Sequence, residues 1–150
     1  MSTAFQGQGS TTGEVSLAAL GESAPTGEVF VWDWRAGTGE RLAADGSWSA
    51  TLAQEEWTFH VVAPVLPCGL AVVGDVSKFV PAGDARLVVD ADGDGVRLTV
   101  KGAGEQVTIT GWSESTPVRA DGAAVSHDRS TGVWTTVVDV PERGWTHVSL

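Results

Sequence analysis

From Val15 onward, short apolar runs alternate with Gly, Asp and Pro breakers. The sequence predicts strands at 15–20, 28–34, 39–43, 47–53, 57–65, 69–74, 85–91, 95–101, 105–111, 117–120, 123–127, 133–140 and 145–150. Inside the clearest runs the period is two. Phe30, Trp32 and Trp34 fall on one face, with Val31 and Asp33 on the other. Trp57, Phe59, Val61, Ala63 and Val65 alternate with Thr58 and His60. Val96, Leu98 and Val100 alternate with Arg97, Thr99 and Lys101, and Val107 and Ile109 with Gln106, Thr108 and Thr110. A period of two with one apolar face belongs to antiparallel sheets that keep one side wet. No segment holds a 3.6-residue period for three turns. The expected fold is therefore all-β, a meander-rich antiparallel β-sandwich.

The breakers refine this picture. Asp45-Gly46, Asp94-Gly95 and Asp121-Gly122 each lie between strand-like runs, and Asp-Gly favours the positive φ of tight hairpin turns. Three hairpin tips are expected there. Residues 1–13 are rich in Ser, Thr, Gly and Gln, with Phe5 as the one apolar anchor, and read as a flexible arm or linker. The rest, 14–150, reads as one domain, since 150 residues would leave two domains cramped.

Composition then removes several function classes. The net charge is −10, with nine basic residues among nineteen acidic ones. Nucleic-acid binding needs clustered Lys and Arg that displace counterions from phosphates, and an anionic membrane surface makes the same demand. Neither partner is expected. Cys68 is the single cysteine, so no internal disulfide or multi-cysteine zinc site can form. The first residues lack the basic and apolar regions of a signal peptide. No run approaches the roughly 20 apolar residues that span a bilayer. A cytoplasmic protein with no cofactor is the expectation.

Candidate chemistry is sparse. Asp90-Ala91-Asp92-Gly93-Asp94-Gly95 imitates the start of a calcium loop, but its twelfth position is Lys101 where a carboxylate is required. A hairpin tip is the better reading. His60, His127 and His147 share no metal spacing, and no serine stands in a nucleophile elbow. Cys68, between Pro67 and Gly69, reads as a small, partly buried hydrophobe. No catalytic residue and no metal ligand is assigned.

Seven tryptophans against no tyrosine are the unusual feature. An indole can fill the space between two sheets, burying roughly 150–250 Å², or lie open as a platform for a sugar ring. Trp32, Trp34 and Trp57 sit on apolar faces and are expected in the core. Trp48, beside the Asp45-Gly46 turn, and Trp112, just after a strand, are the candidates for carbohydrate contact.

Several blocks together resemble the raffinose synthase and seed imbibition protein group of α-galactosidase-like enzymes. They are Val29-Phe30-Val31-Trp32-Asp33-Trp34, Trp57-Thr58-Phe59-His60-Val61-Val62-Ala63-Pro64-Val65, Gly69-Leu70-Ala71-Val72-Val73-Gly74 with Lys78-Phe79-Val80, and Val100-Lys101-Gly102-Ala103-Gly104-Glu105. Phe5-Gln6-Gly7-Gln8-Gly9 is similar to a further family segment, although Gln6 stands where the family has Asn. The resemblance spans the chain from Phe5 onward, and it rests on the order and spacing of the blocks. It implies a (β/α)₈ catalytic barrel followed by an antiparallel β domain, acting on galactosides and related sugars. A barrel needs about 250 residues, so the resemblance makes this chain the non-catalytic terminal domain, with the barrel as its partner. An independent carbohydrate-binding module, with an oligosaccharide as partner, is the alternative; a small enzyme with an unfamiliar site is the third reading.

Overall fold

The computed structural model describes residues 10–53, 55–78, 83, 85–92 and 95–150. The side chains of Ser23 and Asp92 are outside that description. Twelve strands appear in chain order: β1 Thr11–Ser16, β2 Val29–Asp33, β3 Thr38–Leu42, β4 Ser47–Leu52, β5 His60–Pro64 and β6 Leu70–Gly74; then β7 Leu87–Asp92, β8 Gly95–Lys101, β9 Glu105–Ser113, β10 Val125–His127, β11 Val133–Val140 and β12 Trp145–Ser149. One 3₁₀ segment, Leu17–Ser23, follows β1.

These strands make four antiparallel sheets, ordered β1-β4, β3-β2-β5, β10-β11-β9-β6 and β12-β8-β7. Consecutive strands pair in β2–β3, β7–β8 and β10–β11, and the remaining pairs are crossovers. The chain is all-β and sandwich-like.

Period-two alternation decides how the sheets stack. Val107 and Ile109 of β9, Trp134 and Val138 of β11, and Leu70 and Val72 of β6 meet Val96, Leu98 and Val100 of β8 in the largest core. The opposite face of the same four-stranded sheet offers Ala71, Val73 and Trp112 to Phe30, Trp32 and Ala63 of the β2 sheet. The far side of β2 presents Val29 and Val31 to Trp48 of β4 and to Leu17. β2 is thus apolar on both faces, and its first four residues are buried. The two inner sheets also meet at a corner: Leu66 N–H donates to Leu70 O, and Val65 bridges Ala71 as β5 turns into β6. Gly69, at φ 79, permits that turn.

Four expectations are corrected. Residues 15–20 are not a strand: β1 ends at Ser16 and the chain coils into the 3₁₀ segment, which drops Leu17 into the core. β1 itself begins at Thr11, so residues 11–13, read as arm, pair with β4. Residues 117–120 form no strand, because the buried Arg119 guanidinium, not a ladder, ties this segment to Thr136 Oγ1 and the Val137 carbonyl. Asp45-Gly46 and Asp121-Gly122 are turns but not hairpin tips: β4 pairs with β1 instead of β3, and the strands on either side of Gly122, β9 and β10, each pair with β11 and not with each other. The β7–β8 pairing through Asp92↔Gly95 does form a hairpin. Gly93 and Asp94, central to the calcium-like motif, lie outside the described residues, as does most of the arm.

Candidate functional site

Four surface features are candidates. The first is a cleft of about 640 Å³ beside the β5–β6 corner, with Cys68 on its wall. Register puts Arg41 of β3 opposite Phe30 of β2. From there its guanidinium donates to Glu28 Oε2 at 2.6 Å and Glu114 Oε1 at 2.5 Å. The same guanidinium lies 5.1 Å from the Trp112 ring centroid. Phe30 stacks on that indole with centroids 5.9 Å apart and planes at 20°. The indole N–H donates to Thr131 O at 3.1 Å. Trp112 is 8% exposed, and its contacts are already taken by Phe30 and Arg41. It packs as a core residue and offers no open ring face for a sugar.

A second cleft, of about 200 Å³, is built on the far side of the β2 sheet. Asp33 pairs with Thr38 on one side and with His60 on the other, while Val31 pairs with Glu40. All therefore share one face, at the end nearest Trp48 and Ser49 of β4. His60 Nε2 is 3.6 Å from Asp33 Oδ2, and its ring centroid is 5.6 Å from that of Trp48. Asp33 Oδ1 accepts the N–H groups of Arg35 and Ala36 at 2.9 Å each, so this carboxylate also closes the turn after β2. Trp48 is 7% exposed and its Nε1 is buried with no hydrogen-bond partner. It too is a core residue, contrary to the platform expected from its place beside a turn.

The exposed indoles are elsewhere. Trp57 was expected in the core, but the strand starts at His60, so the alternation read from Trp57 begins three residues too early. Trp57 is 52% exposed and stacks on Trp34, with centroids 6.3 Å apart and planes at 20°. Trp145, on the wet face of β12, is 43% exposed, with Arg143 at 5.1 Å and the His147 ring at 4.9 Å. The sequence held one clue to Trp57: the polar Gln54-Glu55-Glu56 run before it, where Glu55 adopts φ 65. For Trp145, alternation with the buried Val148 of β12 was the available signal.

The fourth feature is an apolar groove of about 260 Å³ between β5 and β7, lined by Val61, Val62, Pro64, Leu66, Val72 and Val89 among others. Both strands are sheet edges. Val65 N–H donates to Glu28 O and Trp34 N–H to Phe59 O, so odd-numbered residues of β5 bond to β2 and even-numbered ones face the free edge. Pro64 falls on that edge, where its missing N–H costs the ladder nothing. On β7, Lys101 N–H donates to Arg86 O, which leaves Val89 and Ala91 on the free edge.

The histidines remain apart: His127 contacts Ser113 O and Thr116, and His147 contacts Thr99. No group of three or more His, Cys, Asp or Glu among the described residues is placed to hold a metal ion. No described helix is long and apolar enough to cross a membrane. No protein-family model matches the chain, and no curated protein matches it.

Proposed function

We propose that this chain is a non-catalytic accessory domain of a carbohydrate-active enzyme resembling raffinose synthase, packing against a (β/α)₈ barrel that is not in these 150 residues. The observation that carries the reading is the apolar groove between two open sheet edges. Val89 is on the core-facing side of β7, in register with Leu98, yet is 36% exposed. An exposed edge beside apolar side chains is a liability unless something covers it. A covering domain explains why Val89 is not polar, whereas Val61 and Val62 also pack against the chain's own cores. The carboxylates of the cleft beside the β5–β6 corner are consistent with a structural part: Glu28 and Glu114 are both committed to Arg41.

The test is calorimetric titration of this chain into a raffinose synthase-type barrel truncated before its own terminal β domain. Saturable binding is expected, weakened about tenfold, or ~1.4 kcal/mol, by Val89→Asp. A folded chain that gives no heat, or whose binding ignores Val89→Asp and Val62→Asp together, would remove the reading.

A further inference from the structure

Trp57 poses a different question from the groove. Half of its indole surface is in water, and the ring is held in place rather than loose. Trp34, against which it stacks, is anchored by its own N–H donating to Val76 O at 2.8 Å. Arg35 Nη1 donates to the Trp57 carbonyl at 3.1 Å, and Arg35 Nη2 pairs with Glu56 Oε1 at 3.1 Å. Glu56 Oε2 in turn accepts the Ala53 N–H at 2.9 Å. The segment before β5 is thus tied to the turn after β2 through Arg35, which bonds both the Trp57 carbonyl and Glu56.

The result is a pre-positioned, half-exposed aromatic surface on a segment that also holds one guanidinium and one carboxylate, with 50% and 39% of their side chains exposed. Preorganisation of this kind lowers the ordering cost of binding. A pyranose ring matches it in both respects. Its C–H face carries slight positive charge and sits well on the negative face of an indole. Its neighbouring hydroxyls can donate to a carboxylate and accept from a guanidinium. This pair has no net charge, and the chain as a whole carries −10, so a neutral ligand is favoured over an anionic one.

We propose that Trp57, with Arg35 and Glu56, is a stacking site for one pyranose ring of a neutral oligosaccharide. The site needs no barrel, so its failure and that of the accessory-domain reading are separately visible. The experiment is titration of the whole chain, by calorimetry and tryptophan fluorescence, with raffinose, cellotetraose and maltotetraose, which present α- and β-linked rings. Saturable binding of at least one sugar is expected. Trp57→Ala should weaken it at least tenfold and Glu56→Gln several-fold, while Trp145→Ala, which removes the other well-exposed indole, leaves it unchanged. Trp57→Phe keeps an aromatic face and should retain part of the affinity, which separates loss of stacking from loss of fold. No binding of any of the three sugars by the folded chain, or binding that survives Trp57→Ala, overturns the proposal. Equal loss in Trp145→Ala overturns it as well.

Discussion

Trp134→Ala is expected to cost about 3–5 kcal/mol of stability, the range for deleting a large buried aromatic, and to lower the thermal midpoint by roughly 10 °C. Trp134 is fully buried in the largest core, on the β11 face that meets the β8 sheet. Its cross-strand partner in β9 is Gly111. A side chain there has no room, because a Cβ built on Gly111 would overlap Trp134 Cζ2 and the Ala71 carbonyl oxygen. Glycine is present at 111 to leave a notch for the indole.

Two consequences follow from that notch. Gly111→Ala should itself destabilise, but by less when made in the Trp134→Ala background, where only the Ala71 clash remains. The coupling between the two sites should exceed about 1 kcal/mol, as is usual for residues in contact. In addition, Trp134 Nε1 is buried without a partner, which detracts from the indole's contribution. Trp134→Phe should therefore cost clearly less than Trp134→Ala. Denaturant unfolding of the four variants measures all of this. Additive effects at 111 and 134 would show that the notch explanation is mistaken.

The β8 and β9 runs were legible because both show alternation over a strand that pairs on each side. The alternation read in β2 also holds, but its second face is not wet: Phe30 and Trp32 lie in one core and Val31 in another. What the pattern could not supply was pairing. Ser47–Leu52 looks the same whether it pairs with β3 next to it or with β1 some 30 residues earlier, and so the sequence around Asp45-Gly46 reads as a hairpin tip although it is not one. Pairing with β1 brings Trp48 over Val29 and Val31, which is why its indole is buried. Arg119 shows the converse: a buried guanidinium with side-chain and backbone partners can fix a segment that apolar residues suggested was a strand. The Trp57 error has a similar source. Alternation continues smoothly from Trp57 to Val65, but the bonding with β2 reaches no further back than Phe59, and the strand itself begins at His60. A sequence shows which residues could share a face; it does not show where the hydrogen bonds begin.

Asp75→Asn is expected to destabilise the protein by about 3 kcal/mol at neutral pH, near the lower end for breaking one side of a buried ion pair. Asp75 follows the irregularity at the end of β6 and is 2% exposed. Its Oδ1 accepts the Ser77 N–H at 3.1 Å and the Ser77 hydroxyl at 2.5 Å, and its Oδ2 accepts Arg86 Nε at 3.0 Å and Nη2 at 2.9 Å. Arg86 also donates to Lys101 O and to Glu105, so these charges join the ends of β6, β8 and β9. An asparagine can accept on one side only, and its NH₂ group would face either the guanidinium or the Ser77 donors. Burial works to raise the Asp75 carboxyl, but the bonds from Ser77 and Arg86 outweigh it and hold the group below the ordinary carboxylate range. A depressed folded-state value contributes stability that is complete above the unfolded value, about 4, and is lost as pH falls through the folded one. Glu105, lowered chiefly by its bond from Arg86, acts in the same direction. The wild type should therefore lose its advantage over Asp75→Asn on acidification, and urea midpoints that differ widely at pH 7 should draw together as the pH falls below the ordinary carboxylate range. If the gap were the same throughout, proton uptake by Asp75 would not be part of the acid response, and the network around Arg86 would owe its stability to packing instead of charge.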